Sequence, residues 1–401
     1  MFEKFFRSQT IPGTSKIAML ILDGLGGLPR EAGGKTELET AYKPNLDALA
    51  GKSVLGLSVP LGQGITVGSG PGHLALFGYD PLACEIGRGP LEALGVDFDL
   101  HPEDVAARGN FCTVDENGIL TDRRAGRLPT KESEKIVEKL QGIKIDGVEI
   151  YVRVVKEHRF ALILRGNDLG SNVNETDPLK TGIVPNELIA FDQGSKRTAG
   201  IVNLFVEKAK AILKNENKAN MVLLRGFAKL PVVPSFQQMY KLNPACIAVN
   251  GMYRGVSRLA RMQILEVNGV ELADEFTTLE KNWGEYDFFY LHFKKTDTCG
   301  ENGDFDGKVK AIEEFDAQLP RLLGLNPDVV IVTGDHSSPA VLRFHSWHPV
   351  PLLLYSKYCR PDNIPIFGER ACAKGGLGQI NAKHIMPLAL ANAERVAKYG
   401  A

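Results

Sequence analysis

Ile17-Ala-Met-Leu-Ile-Leu-Asp-Gly24 and Val329-Val-Ile-Val-Thr-Gly-Asp-His336 decide the fold of this chain. In each, an unbroken apolar run ends at a glycine turn that carries a hard metal ligand. Runs without polar alternation read as strands buried on both faces, as in a parallel sheet. Ligands of open α/β sheets bind beyond the carboxyl ends of such strands, where Asp23, Asp335 and His336 would stand. Buried carboxylates are costly unless paired or bound to a cation, so acids at two strand ends call for partners. Taken alone, Asp23 also reads as a cap or turn residue.

Further runs extend the pattern: Ala245–Val249, Tyr286–Phe293, Asp328–Thr333 and Val350–Tyr355 continue the parallel-sheet texture. Val309, Ile312, Phe315, Leu319, Leu322 and Leu323 keep helical spacing and predict a crossover helix. Strands alternating with helices predict a doubly wound, mostly parallel α/β sheet. The texture changes from 106 to 234. Asn110–Val114 and Ile119–Thr121 flank Asp-Glu-Asn-Gly118 as a hairpin. A polar amphipathic helix follows over 131–140, then strands over 149–155 and 160–164. The expected organisation is a discontinuous domain, 1–105 with 235–401, interrupted by a smaller α/β domain at 106–234.

The 401 residues, 44% hydrophobic and 24% charged, suit a soluble globular protein, and no stretch is long enough to span a bilayer. The N-terminal apolar run is short and broken by Asp23, unlike a secretory signal, so the cytoplasm is the default location. Six cysteines without Cys-x-x-Cys spacing predict free thiols rather than a cysteine zinc site. A net charge of -1 supplies no field for nucleic acid or an anionic membrane. The local cluster Asp122-Arg-Arg-Ala-Gly-Arg127 instead suits a small anion.

Ser69, in Val67-Gly-Ser-Gly-Pro-Gly-His73, precedes an apolar helical run. Backbone N–H groups at a helix start suit a phosphoryl oxygen, although from this motif alone Ser69 reads as an N-cap. Serine is a weak nucleophile that needs a base or a metal ion. Further ligands lie in Lys294-Lys-Thr-Asp-Thr-Cys-Gly-Glu301 and at His345. With Asp23, Asp335 and His336 they suffice for two divalent cations, one activating the serine and one gripping phosphoryl oxygens. The bland alternatives are a solvated loop for Asp297 and Glu301 and a surface position for His345. No P-loop or complete dinucleotide fingerprint is present.

Leu22-Asp-Gly24, Lys43-Pro-Asn-Leu-Asp47, Ser69-x-x-x-His73, Phe77-Gly-Tyr-Asp-Pro81, Gly87-Arg-Gly-Pro90, Asp122–Arg127 and Thr333-Gly-Asp-His-Ser337 occur in this order. Together they resemble the archaeal-type cofactor-independent phosphoglycerate mutases of the alkaline phosphatase superfamily, from about residue 16 onward. The resemblance implies a metal-dependent, alkaline-phosphatase-like domain interrupted by a substrate-holding transferase domain. It implies that Ser69 is the nucleophile and becomes phosphoserine, with Asp23, Ser69, Asp335 and His336 around one metal. Asp297, Glu301 and His345 would surround the other, and Lys294 would lie by the phosphoryl group.

Manganese or magnesium is the expected metal, zinc or cobalt the alternative, and no 2,3-bisphosphoglycerate is needed. Arg123, Arg124, Arg127 and Arg159 are candidates for gripping a phosphoglycerate, since guanidinium matches carboxylate bidentately; a solvated basic face is their bland reading. Two positions depart from the family pattern. Glu301 stands where histidine is common, and an acidic residue often found after the serine is lacking. The rivals are a metal-dependent phosphatase or other phosphomutase on the same scaffold, and a non-catalytic phosphometabolite-binding protein. Neither nucleic acid nor membrane is an expected partner, and the sequence leaves the oligomeric state open.

Overall fold

The computed structural model describes residues 2–84 and 86–400. The chain divides into two compact units, Met1–Cys84 with Val233–Ala401, and Glu85–Val232. Among the described residues, thirteen strands are numbered in chain order: β1 Ile17–Leu22, β2 Val54–Val59, β3 Val105–Val114, β4 Leu120–Asp122, β5 Glu149–Lys156, β6 Arg159–Arg165, β7 Met221–Ala228, β8 Pro244–Ala248, β9 Gln263–Ile264, β10 Phe288–Phe293, β11 Val329–Thr333, β12 Val350–Ser356 and β13 Gly378–Asn381.

In the first unit, eight strands form one sheet in the order β13-β2-β12-β11-β1-β10-β8-β9. β1 lies at its centre with all six residues buried, parallel to β10 and β11. Burying a Leu or Ile side chain contributes roughly 1.5–3 kcal/mol, so this featureless apolar run belongs where both faces are covered. The helix Phe305–Leu323 covers one face through Ile312, Phe315, Leu319 and Leu322, as their spacing predicts.

The sheet is α/β and mostly parallel, with one local departure from the expected pattern. β12 runs antiparallel to both β11 and β2. A parallel return would need a crossover, usually helical, to carry the chain back. The connection over 334–349 contains no helix and carries site residues instead.

In the second unit, β3 is central, pairing with β4, β6 and β7, while β5 extends the sheet beyond β6; every pairing is antiparallel. The expected hairpin and the helix Thr130–Leu140 are present. The unit begins at Glu85 rather than at 106. Its sheet has a second apolar face, with Ala106, Ala161 and Ile163, and the helix Arg88–Gly95 covers it with Ala93 and Leu94. The other face packs Phe111, Phe160, Val202 and Phe205. Among the described residues, no helix is long and apolar enough to cross a membrane.

Candidate active site

Register explains why distant residues meet. Ile21 lies opposite His292 on one side and Thr333 on the other, and Leu22 lies opposite Phe293. Asp23, Lys294 and Asp335 therefore leave the sheet within a residue or two of one another, at the carboxyl edge of its three central strands. Gly24, at φ +61°, makes the turn after Asp23, and a Cβ there would meet Asp297 Oδ1 and Ser338 Oγ at 2.7 Å. Ser69 opens the helix Ser69–Leu76. That helix approaches closely because Gly72 has no side chain: a Cβ would lie 2.6 Å from the Asp335 carbonyl oxygen.

Asp23, Asp335 and His336 form one compact donor group, and Asp297, His336 and His345 another. His336 belongs to both. Its Nε2 lies 3.1 Å from Ser69 Oγ, 3.4 Å from Asp23 Oδ1 and 3.3 Å from Asp335 Oδ2. Asp23 Oδ1 and Asp335 Oδ2 are buried without a hydrogen-bond partner. Two acceptor oxygens left bare in the interior cost roughly 1–3 kcal/mol each, more when charged. A divalent cation at this point would satisfy both, and carboxylates with imidazole suit manganese, magnesium, zinc or cobalt.

Lys294 donates to Asp297 Oδ2 at 2.6 Å, to Tyr253 Oη at 2.8 Å and to Asp23 Oδ2 at 3.2 Å. Burial opposes charge on Lys294, yet Asp23 and Asp297 outweigh it and raise its pKa. Burial likewise opposes ionisation of Asp23, but the Lys294 ammonium and the His292 ring hold its carboxyl well below the ordinary range. Burial pushes His292 down to about 4, so its ring is neutral near pH 7.

Asp297 and Glu301 lie on the helix Lys295–Asn302, not in the expected loop. Thr296 Oγ1 donates to the Asp23 carbonyl, fastening the helix start to the β1 turn, and Asp297 in the first turn complements the helix dipole. The four-residue spacing then puts Asp297 and Glu301 on one face. Glu301 Oε1 lies 3.4 Å from His345 Nε2 but belongs to neither compact donor group. Burial alone would lower the His345 pKa, yet Glu301 and the Val67 carbonyl raise it to about 9.

Arg123, Arg124, Arg127 and Arg159 come together in the second unit, around a basin of about 350 Å³ also lined by Arg108, Asn110, His158 and Arg225. Cross-strand pairing builds it: Arg108 faces Arg225, and Asn110 faces Arg159. Like charges placed opposite each other repel, an arrangement that an anion would relieve. Arg123 is clamped by Asp177 through two hydrogen bonds, of 2.9 and 2.7 Å. Burial, opposed by Glu92 and reinforced by Arg225, lowers Arg108 to about 10.

Sequence reasoning gave no role to several residues at these two places. His73 Nδ1 lies 2.8 Å from the Ser69 carbonyl and 3.3 Å from Asp335 Oδ2. His292 Nε2 lies 2.9 Å from Asp23 Oδ2, and Tyr253 stacks on His292 at 3.4 Å. Ser338 Oγ donates to Asp297 and lies 3.1 Å from His336 Nδ1. The Ser69-x-x-x-His73 spacing was the available signal for His73, since i and i+4 share a helix face.

Comparison with known proteins gives the family of this chain. The family model described as 2,3-bisphosphoglycerate-independent phosphoglycerate mutase matches residues 50–219. A probable 2,3-bisphosphoglycerate-independent phosphoglycerate mutase of Thermus thermophilus is 51% identical over 391 residues, 96% of each chain. Another so described, from Thermosipho africanus, is 52% identical over 392 residues, 97% of each. The solved structure of a cofactor-independent phosphoglycerate mutase from Thermoplasma acidophilum is similar at a TM-score of 0.76 and 28% identity, covering 94% of this chain and 100% of that one.

Proposed function

The chain belongs to the 2,3-bisphosphoglycerate-independent phosphoglycerate mutase family, and from that premise we propose that it interconverts 3-phosphoglycerate and 2-phosphoglycerate through a phosphoserine at Ser69. The observation that carries this reading is Ser69 Oγ, 3.1 Å from His336 Nε2 at a helix start, beside two buried carboxylates that each keep a bare oxygen. A nucleophile, a set of cation donors and a lysine together are what phosphoryl transfer asks for.

Asp23, Ser69, Asp335 and His336 would hold one divalent cation, and Asp297, Glu301 and His345 a second. Bound there, manganese or magnesium would polarise the phosphoryl oxygens and favour deprotonation of the serine. Ser69 Oγ, deprotonated, attacks phosphorus in line; the Oγ–P bond forms as the bond to the glycerate oxygen breaks, and that oxygen takes a proton. In the return step the other glycerate hydroxyl loses a proton and attacks phosphoserine, releasing Ser69. Lys294 sets positive charge beside the transferring group.

The arginine basin holds the glycerate so that the same molecule is rephosphorylated. Arg108 and Arg225 join Arg123, Arg124, Arg127 and Arg159 in that task, because a triply anionic substrate needs several cations. Asp177 fixes the Arg123 guanidinium in place. Asp23, Asp335 and His336 are fully buried beside Ser69, and mere binding would not need a nucleophile among them.

Mass spectrometry of native protein quenched with 3-phosphoglycerate tests the proposal, with the phosphoryl group expected on Ser69. Ser69→Ala should lower mutase turnover by at least ~10⁴-fold, the scale set by loss of a serine nucleophile. Substantial turnover by that variant would end the reading. Release of inorganic phosphate in place of isomerisation would assign a phosphatase instead.

A further inference from the structure

Behind the donor set lies a second layer of buried charge that touches no donor side chain. Lys308, on the helix Phe305–Leu323, is completely buried. Its ammonium donates to three backbone carbonyls, those of Gly24 at 2.8 Å, Gly26 at 3.1 Å and Ser338 at 2.9 Å. An ammonium in the interior without a directly bound carboxylate is expensive, and here all three of its donors go to backbone.

Those carbonyls belong to two loops. One follows Asp23, and the other follows Asp335 and His336. The same two loops are joined a second time by Glu37, also fully buried, which accepts from the N–H of Leu28 at 3.0 Å and of Ala340 at 2.8 Å. Glu369 anchors the first loop again through the Gly27 N–H at 2.9 Å. The loops meet directly where the Ser338 N–H reaches the Gly24 and Gly26 carbonyls.

Ser338 links this scaffold to the donors, since its hydroxyl donates to Asp297 and faces His336 Nδ1. We infer that Lys308 is a positioning residue that, together with Glu37, fixes the spacing of the two ligand-bearing loops and thereby sets the affinity of the centre for divalent cations. It acts through Gly24, Gly26 and Ser338 and touches no reacting atom. A buried lysine of the chain thus sets the spacing of a place for exchangeable cations. Partners beyond the immediate ligands typically change metal affinity by about 10–100-fold.

The inference rests on the metal-centre reading above, and the test separates the two. Mn²⁺ is titrated into the intact wild-type chain and into Lys308→Met, with free Mn²⁺ read by its electron paramagnetic resonance, and thermal unfolding of both metal-free proteins is recorded alongside. The expected result is a Kd for Mn²⁺ raised about 10–100-fold in the variant, measured well below its unfolding midpoint. A purely structural lysine would lower the midpoint and leave the Kd unchanged, and that result overturns the inference. Should Lys308→Met fail to fold, Glu37→Gln, which keeps size and shape, is read by the same criterion. Absence of Mn²⁺ binding to the wild type would instead remove the metal centre itself, and this inference with it.

Discussion

Charge at the centre of the first unit is buried and already in contact with counter-groups: Asp23 with Lys294 and His292, Asp297 with Lys294 and Ser338. Charge in the second unit is arranged the other way, with six arginines and one glutamate around an open basin. The first arrangement has acceptor oxygens to spare, at Asp23 and Asp335; the second has donors to spare. One is complementary to cations and the other to anions. On the proposed reading, an enzyme that must hold a phosphoryl group and also retain the alcohol it came from needs both kinds of site, and the two arrangements lie in separate units with separate cores.

Damage to the two units should therefore be separable. Of the variants that separate the units, the largest effect is expected for Asp335→Asn, which keeps the size of the side chain but removes a charge facing His336, His73 and Asp23. Turnover should fall at least ~10²–10³-fold, the scale of one lost electrostatic contact in a transition state, and metal content by mass spectrometry should fall with it. Retention of full metal content and activity would break the assignment of cation chemistry to this unit.

Arg108→Ala tests the opposite side. Loss of one charge-assisted contact, about 1.5–3 kcal/mol, corresponds to a KM for 3-phosphoglycerate raised about 10–150-fold. Metal content should not change. Steady-state kinetics paired with metal analysis would show it, and a variant that loses metal while keeping KM would collapse the distinction between the units.

The smallest effect belongs to Glu301, whose side chain is about half exposed (52%) and which bridges to His345. Glu301→Ala should weaken divalent-ion binding about tenfold, the lower end for a group at the edge of a metal site. Glu301→His should restore binding and shift preference toward borderline cations suited to imidazole. Unchanged affinity in the alanine variant would remove Glu301 from the centre and leave it a surface partner of His345.

Part of the first centre was legible because Asp23 and Asp335 each follow an apolar run that reads as an internal strand. Asp23 and Asp335 needed no knowledge of packing to be placed at one sheet edge. What was not legible arises from pairing. The direction of β12 depends on a connection without a helix, and Asp297 and Glu301 look like loop residues until Thr296 is seen fastened to the Asp23 carbonyl. Arg108 and Arg225 lie in strands whose apolar neighbours mark them as core, and only their cross-strand register reveals a shared face. Lys308 reads as an ordinary polar position of an amphipathic helix, since nothing local to it announces two loops from elsewhere.

The position of β1 has a consequence for how the chain comes into being. β1 is central in its sheet, yet both of its neighbours, β10 and β11, begin more than 260 residues later: Ile17 pairs with Phe288 and Val329. At ~5–20 residues per second of synthesis, this all-apolar strand spends roughly a quarter of a minute to a minute on the ribosome with neither edge paired. During that interval the unit Glu85–Val232, whose strands all pair among themselves, emerges complete. The nascent chain thus carries a finished unit ahead of an unfinished sheet, and its earliest strand is the one most in need of shelter from other chains.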